Sequence, residues 1–229
     1  MIKGFIKNSF VDYPGKVAAT IFTGGCNFSC PFCHNGELVL APGKIKDIPD
    51  YEIMEFLEKR KGLIDAIVIS GGEPTLHPGI WALMAKIKDK GFLVKLDTNG
   101  YQPRIIEKLL EETQIDFIAM DIKNAPDRYA ETAGLEKIDI QRIFQSVKLI
   151  QSSGIDYEFR TTIMKEYHSA IELEKIGQWL NGSKKYVLQN YKQREGQVEE
   201  VAFTPFEEEF LESQKEFLQP FFKRVEIRT

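Results

Sequence analysis

The chain has 229 residues, of which 43% are hydrophobic and 28% are charged, a balance typical of a globular protein. Its net charge of −4 and the lack of a basic stripe argue against a nucleic-acid-binding surface. No apolar run approaches the roughly 20 residues that a membrane-spanning helix needs, and the N-terminal residues lack the apolar core of a secretion signal. We therefore expect a cytoplasmic protein with no membrane or nucleic-acid partner.

Six short apolar, β-branched segments predict strands. Most of them are continuous rather than alternating, which is the pattern of parallel strands covered on both faces. The predicted strands are Val17–Thr23, Ala66–Ser70, Leu93–Asp97, Phe117–Ile122, Tyr157–Ile163 and Tyr186–Gln189.

Amphipathic segments between these strands predict helices, with Asp50 as the N-cap of the first and Gly91 and Gly154 ending the second and fourth. One strand and one helix recur every roughly 25–40 residues, which indicates βαβ units and an α/β fold. Six strands are too few for an eight-stranded barrel, so we predict an open, partial (β/α)6 parallel barrel. The predicted helices are Asp50–Arg60, Gly79–Lys90, Arg104–Glu112, Asp139–Ser152 and Ser169–Leu180.

A single domain is expected over residues 1–229, because no linker, repeat or low-complexity tract interrupts the sequence. Its core is predicted over residues 12–190 and a C-terminal extension over residues 191–229. Within the extension, a helix over Pro205–Gln219 and a short strand over Arg224–Arg228 are expected to cover part of the sheet.

Three cysteines, Cys26, Cys30 and Cys33, lie within eight residues, and the sequence has no others. Clustered thiolates are soft ligands suited to iron–sulfur clusters or zinc. A 4Fe–4S cluster on three cysteines leaves one iron free to bind a small molecule. A zinc site completed by His34 is the alternative, although adjacent residues rarely reach the same tetrahedral ion. An odd number of thiols in a chain of this size argues against a disulfide framework.

Every predicted strand also carries polar residues, which lie at or after its end in all strands but the fifth, where Arg160 lies within the strand. Because function gathers at the carboxyl ends of parallel strands, we expect these residues to share one rim of the barrel. They are the three cysteines after the first strand, then Ser70–Pro74, Asp97–Gly100, Asp121–Asn124, Arg160 and Gln189–Tyr191.

The spacing CxxxCxxC, with an aromatic residue before the last cysteine, resembles the signature of the radical S-adenosylmethionine (SAM) superfamily. Gly71-Gly72-Glu73 is similar to the GGE motif of that family, and Cys33-His34-Asn35 is common in its glycyl-radical-enzyme activating branch. Upstream, Asp12-Tyr-Pro-Gly-Lys16 resembles the segment before the first strand in that branch. The combination looks most like the activating proteins of anaerobic ribonucleoside-triphosphate reductases.

This resemblance implies a partial barrel of the radical SAM type, with a 4Fe–4S cluster on the three cysteines and SAM at its open iron. Gly71, Gly72 and Glu73 would then hold the amino end of the methionine moiety of SAM, and Phe32 would lie against the adenine. The local alternatives are that the two glycines only form a turn and that Phe32 only packs.

The resemblance also implies that Lys123 pairs with the SAM carboxylate, that Arg160 lies near SAM, and that Asp97 and Asp121 surround a monovalent cation. Each of these side chains has a local alternative. They are an Asx turn for Asp97, a salt bridge between Asp121 and Lys123, a solvated Lys123, and an ion pair between Arg160 and Glu158.

Asp12 is placed by the resemblance at the mouth where a substrate glycine would enter, and a capping role is its alternative. Two positions depart from the family: Tyr13 replaces a glycine of the upstream segment, and Gln189-Asn190 stands where the pyruvate formate-lyase activating enzyme has a histidine against SAM. The sequence also lacks the cysteine-rich insert of activating enzymes that carry additional clusters, so one cluster is expected.

The function implied is that of an activase, which reductively cleaves SAM and generates a glycyl radical on a partner enzyme. The partner that the resemblance implies is an anaerobic ribonucleotide reductase. A flavodoxin or ferredoxin would supply the electron, and an open lateral face would admit the glycine-bearing loop. One alternative is a radical SAM enzyme that acts on a small molecule or a peptide. A non-catalytic zinc-binding protein is the other.

Overall fold

The computed structural model describes residues 1–112 and 115–229. Its strands form one sheet in the order β1 to β8, so that every strand neighbours the next one in sequence. Strands β2 to β8 are parallel, which confirms the six predicted parallel strands and the predicted C-terminal strand. The strands are β1 (Ile2–Ser9), β2 (Ala18–Thr23), β3 (Ala66–Gly71), β4 (Leu93–Thr98), β5 (Phe117–Asp121), β6 (Asp156–Ile163), β7 (Ser183–Asn190) and β8 (Phe222–Arg228).

The N-terminal strand β1 was not predicted. It pairs antiparallel with β2, with register shifts between Ile2 and Gly4 and between Ile6 and Ser9. Only its two end residues are buried, because an edge strand has one covered face and one unpaired side. The sheet therefore has one strand more than the six core strands and the C-terminal strand that were predicted. Among the described residues β1 and β8 do not pair with each other, so the barrel is open.

The five predicted core helices are present, and none of their ends differs from the prediction by more than one residue. Gly91 and Gly154 follow their helices with φ of 89° and 79°, as predicted for left-handed C-terminal residues. Asp50 was wrongly predicted as an N-cap: Pro49 occupies that position and Asp50 is the first helical residue, where its charge still faces the positive end of the helix. The helices are α1 (Gly36–Leu40), α2 (Asp50–Lys59), α3 (Ile80–Asp89), α4 (Pro103–Glu111), α5 (Tyr129–Thr132), α6 (Ile140–Ser152), α7 (Ala170–Trp179) and α8 (Glu208–Leu218).

None of the described helices has the length and apolar character that crossing a membrane would require. The predicted C-terminal helix is present as the shorter helix α8. It packs against β8 and α7, so the C-terminal extension covers one end of the sheet. Thr113 and Gln114 lie outside the described residues.

The two faces of the sheet are buried in different ways. The outer face carries the large apolar core beneath the helices, to which Val94 and Leu96 of β4 contribute. The inner face has a second, small apolar cluster built mostly from short side chains, closed by two aromatic rings that pack 5.7 Å apart, Tyr13 and Phe117. Beyond this apolar layer, towards the carboxyl ends of the strands, the inner face is polar and forms a cavity.

Candidate active site

A cavity of about 410 Å³ opens at the carboxyl ends of the parallel strands. It brings together residues from every segment that the sequence assigned to the rim, because consecutive parallel strands all end on the same edge of the sheet. Of the predicted site residues, only Glu73 is outside its lining. The predicted residues that line it are Asp12, Cys26, Cys30, Phe32, Cys33, Gly71, Gly72, Asp97, Asp121, Lys123 and Arg160.

The three cysteines are free thiols carried by the loop that follows β2. Burial raises the pKa of Cys26 to about 11 and that of Cys30 to about 12. The nearby positive charge of Lys123 acts in the opposite direction on both thiols. The thiols of Cys26 and Cys30 are therefore protonated in the metal-free protein at neutral pH, and loading a metal must release protons from them.

These residues fit a 4Fe–4S cluster better than a single zinc ion. Within residues 1–112 and 115–229, no three His, Cys, Asp or Glu side chains converge on one ion position. A cubane needs no such convergence, because each cysteine binds a different iron. His34, the fourth ligand of the zinc alternative, is engaged elsewhere: its Nε2 is 2.8 Å from the carbonyl oxygen of Lys192.

Gly71, the last residue of β3, and Gly72 let this part of the backbone approach the cysteine loop directly. A Cβ on Gly72 would collide with the carbonyl oxygen of Gly25, and a Cβ on Gly71 with the backbone of Thr23. In the observed packing, the Glu73 N–H donates to the Gly25 oxygen at 2.8 Å. Glycine is thus required for close approach here, in addition to forming a turn.

Glu73 itself is fully buried beneath the cavity rather than exposed to it. Its carboxylate accepts hydrogen bonds from the Thr75 N–H at 3.1 Å, the Thr98 hydroxyl at 2.8 Å and the Asn99 N–H at 2.7 Å. Burial raises the pKa of this carboxyl, and these hydrogen bonds only partly oppose the increase. Its side chain therefore joins the loops that follow β3 and β4.

A chain of five alternating charges crosses the inner face at the bottom of the cavity. Lys95 Nζ is 2.5 Å from Asp97 Oδ1, and Arg160 bridges from Asp97 Oδ2, at 3.3 Å, to Asp121 Oδ1, at 2.8 Å. Lys123 Nζ closes the chain at 3.1 Å from Asp121 Oδ2. Burial raises the pKa of Asp121, but the two cations outweigh it and lower that pKa to about 2.

This charge chain decides between several interpretations of its members. The predicted salt bridge between Asp121 and Lys123 is present, whereas Arg160 pairs with the two aspartates and not with Glu158. All four oxygens of Asp97 and Asp121 have a cationic side chain within 4 Å. The residues present therefore do not fit an additional monovalent cation.

Asp12 reaches the cavity from the loop between β1 and β2. Its carboxylate accepts a hydrogen bond from the Thr20 hydroxyl at 2.6 Å. The capping alternative is not observed, because the partner of the Asp12 carboxylate is the side chain of a strand residue. The backbone N–H of Asp12 in turn donates to the Ser9 hydroxyl at 3.2 Å. Asp12 is thus a fixed carboxylate at the cavity wall.

Phe32 lines the cavity and also packs against aromatic neighbours, while its contact with adenine stays a prediction. Its ring centroid lies 6.0 Å from that of Tyr167 and 6.3 Å from that of Phe203. Gln189, for which the sequence suggested no role, lines the cavity as well.

Sequence reasoning missed the part played by residues 191–204, here termed the cover segment. It runs from the end of β7 across the cysteine loop and brings Arg194 to the cavity. Its backbone N–H groups donate to the loop, from Val198 to the Cys33 oxygen at 3.1 Å and from Glu199 to the Pro31 oxygen at 3.0 Å. No sequence signal marked this contact, since backbone hydrogen bonds place little constraint on side-chain identity.

Residues 20–175 match the family model of the radical SAM superfamily, a range that contains the cysteine loop, the glycine pair and the charge chain. The chain belongs to this superfamily. Its members use a 4Fe–4S cluster and SAM, in agreement with the fit of the three thiols. The predicted fold type is confirmed with it.

Relatives of this radical SAM protein include activating enzymes. A Methanocaldococcus jannaschii protein, named as a glycyl-radical enzyme activating enzyme, is 32% identical over 214 residues, 91% of this chain and 87% of the relative. The pyruvate formate-lyase-activating enzyme of Clostridium pasteurianum is 31% identical over 122 residues, 51% of this chain and 50% of that enzyme.

Solved structures extend the comparison to the fold. Streptococcus suis SuiB bound to S-adenosylmethionine has a TM-score of 0.71 at 15% identity, covering 90% of this chain and 49% of SuiB. At this identity the likeness shows the fold alone. The chain spans about half the length of SuiB.

Proposed function

We propose that this radical SAM enzyme is an activase that generates a glycyl radical on a partner protein, and that the partner is an anaerobic ribonucleoside-triphosphate reductase. The observation that carries the proposal is the cavity, which gathers three thiols, a glycine-lined backbone and the charge chain at one end of an open barrel. The M. jannaschii relative, matched over 91% of the chain, supports the activating branch.

Different residues of the cavity would bind the cluster and SAM. Cys26, Cys30 and Cys33 would bind the cluster as thiolates, and the backbone at Gly71 and Gly72 would bind the amino end of SAM. Lys123 would pair with the SAM carboxylate, for which it needs only to share the charge that now faces Asp121. When bound, the cluster and SAM together would supply reductive radical chemistry, with one electron from the cluster for cleavage of the SAM sulfonium.

The remaining contribution of the protein is to position and to shield. The apolar cluster behind the cavity and the cover segment in front of it restrict water and competing hydrogen donors. Asp12, fixed by Thr20 at the cavity wall, would lie beside the entering glycine segment. The open edges of the sheet leave space for that segment, and a flavodoxin or ferredoxin would deliver the electron.

The first experiment tests SAM cleavage. The protein is reconstituted with iron and sulfide without oxygen, and 5′-deoxyadenosine and methionine are quantified after addition of dithionite and SAM. We expect product with the natural protein and none with Cys30→Ala, while Ser213→Ala, on the exposed face of α8, serves as the matched control. A zinc-loaded protein without product would contradict the proposal.

The second experiment tests the partner. The reconstituted protein is mixed with the anaerobic ribonucleotide reductase of the same organism, and the glycyl radical is measured by electron paramagnetic resonance. A doublet that requires both proteins and SAM supports the assignment. SAM cleavage without a radical on the reductase would contradict this partner and favour a small-molecule or peptide substrate.

A further inference from the structure

Lys95 is a buried lysine on the inner face of the barrel. It stands in the middle of β4, two residues before Asp97 and therefore on the same face of the strand. Its side chain is 2% exposed, and its ammonium lies 5.9 Å from the centroid of the Phe117 ring, directly above the apolar layer. It lies below the cavity lining, so it can affect the site through Asp97, the lining residue that it contacts.

Burying an ammonium is energetically unfavourable unless it is well paired. Within the described residues, Asp97 is the one carboxylate in ion-pair contact with Lys95. A neutral residue at position 95 would avoid that cost, yet would leave one oxygen of Asp97 without a cation at the bottom of the cavity. The reason for the ion pair therefore lies in the negative charge of Asp97, which has to be neutralised.

The charge chain explains why Asp97 requires a second cation besides Arg160. Arg160 has to bridge two carboxylates, and its contact to Asp97, at 3.3 Å, is longer than its contact to Asp121, at 2.8 Å. Without Lys95, Asp97 would be neutralised only by this longer contact and would attract a small cation from solution. With Lys95, the chain holds three positive and two negative side chains and needs no further cation.

We propose that the Lys95 ammonium acts as a built-in cation, which neutralises Asp97, keeps Arg160 in its bridging position and makes the site independent of bound Na⁺ or K⁺. Lys95 is thus a positioning residue: it acts on the site through Asp97 and Arg160. Its consequence for SAM cleavage rests on the proposed function, whereas its effect on cation binding does not.

The cation-binding test uses the metal-free protein and NaCl against choline chloride at matched ionic strength. We expect the melting temperature and the ²³Na line width of the natural protein to show no specific response to sodium. Lys95→Met, which keeps the length and removes the charge, should gain both a sodium-dependent rise in melting temperature and ²³Na broadening.

Two further variants keep this test decisive. Lys95→Arg retains the charge and should behave like the natural protein. Lys95→Met with Asp97→Asn removes both charges, so it should fold without an unpaired buried carboxylate and should not respond to sodium. A sodium response of the natural protein overturns the proposal whether or not the variants fold, and so does a Lys95→Met protein that ignores sodium.

The activity test uses the reconstituted enzyme in the same two salts. The natural protein should form 5′-deoxyadenosine at equal rates in both, and Lys95→Met should lose about tenfold in choline and recover in NaCl. Equal loss in both salts would mean a merely structural lysine and would overturn the proposal. If the natural protein forms no product at all, the proposed function fails, and the sodium measurements on the metal-free protein still decide the role of Lys95.

Discussion

The Glu73 carboxylate accepts a hydrogen bond from the backbone N–H of Asn99 at 2.7 Å. This bond connects the loops that follow β3 and β4, and both loops contribute to the cavity wall. The other oxygen of Glu73 accepts hydrogen bonds from Thr75 and Thr98. Among the described residues, no cationic side chain forms an ion pair with this carboxylate. One buried acceptor group therefore fixes two loops of the site.

Replacing Glu73 by alanine should be strongly destabilising. The change leaves buried donors of Thr75, Thr98 and Asn99 without an acceptor, so we expect the free energy of unfolding to fall by roughly 3 kcal/mol or more. Urea unfolding of the metal-free protein measures it. Glu107→Ala, at an exposed position of α4, is the control and should change stability by less than about 0.5 kcal/mol.

Glu73→Gln separates the two parts of that effect. The glutamine keeps one acceptor oxygen but turns an NH₂ group towards a neighbouring donor, so it should recover only part of the lost stability. Equal stability of the alanine and glutamine variants would contradict the acceptor role. The predicted contact of Glu73 with SAM stays a prediction.

The pH dependence of stability should carry a contribution from His168. Its Nδ1 accepts the Met164 N–H, which makes Nε2 the protonated atom, and Nε2 donates to the Lys123 oxygen at 3.0 Å. Burial lowers its pKa to about 4. The unfolded chain binds the proton near pH 6.5, so stability is lost as the pH falls from about 6.5 to 4, by at most about 1.4 kcal/mol per pH unit.

His168→Gln removes this titration and should flatten the stability profile between these two pH values. Urea unfolding at pH 7 and at pH 5, expressed as the difference between variant and natural protein, measures it. His77 also has a pKa lowered mainly by burial but is less buried, so His77→Gln should change the slope less. A larger effect from His77 would contradict the assignment.

Most strands could be predicted because a parallel strand covered on both faces is an apolar run of its own. Strand β1 could not, since only Ile2 and Ser9 of its eight residues are buried and its register is shifted twice. The helices α1 and α5 have five and four residues, too few for a helical period to be visible. Short and edge elements depend on tertiary contacts that a local pattern does not contain.

The candidate site was predictable to the same extent and for a related reason. Parallel strands bring their carboxyl ends to one edge, so locating the strands also located Asp97, Asp121 and Arg160. Partners distant in sequence remained invisible: Glu158 was considered only against Arg160, whereas its partner Arg228 is 70 positions further on. The spacing of Lys95 and Asp97 was a usable signal, because residues two apart share a strand face.

The pair of Glu158 and Arg228 should anchor strand β8. The carboxylate accepts two hydrogen bonds from the guanidinium, at 2.8 and 2.7 Å, and Lys185 lies 3.2 Å away. Burial raises the pKa of Glu158, but Arg228, Arg160 and Lys185 outweigh it and lower it to about 2. The stability it contributes is present above pH 4.5 and is lost as the pH falls through about 2.

Arg228→Ala should therefore lower the free energy of unfolding at neutral pH by roughly 2 kcal/mol, less than for a fully buried pair because Arg228 is 36% exposed. A double-mutant cycle with Glu158→Gln isolates the interaction. The coupling energy should shrink as the pH falls below 4.5, since protonation of Glu158 has the same effect as the glutamine. Constant coupling across this range would contradict the assignment.

The contact of the cover segment with α1 leaves no room for a side chain at Gly36. Its N–H donates to the Gly196 oxygen at 3.1 Å, and an added Cβ would collide with that oxygen and lie 2.9 Å from the backbone of Gln197. Both obstacles are backbone, which cannot rotate away as a side chain can. Gly36→Ala should therefore push the cover segment off the cysteine loop.

The displacement should appear as faster alkylation of Cys33 in the metal-free protein. Loss of one or two backbone hydrogen bonds, each worth about 1 kcal/mol, raises the open population about tenfold, and the alkylation rate rises with it. Gly43→Ala is the matched control, because nothing lies within 4 Å of its added Cβ. Peptide mass spectrometry assigns the label to Cys33 rather than Cys30. Equal rates in the two variants would mean that the cover segment does not shield the cysteine loop.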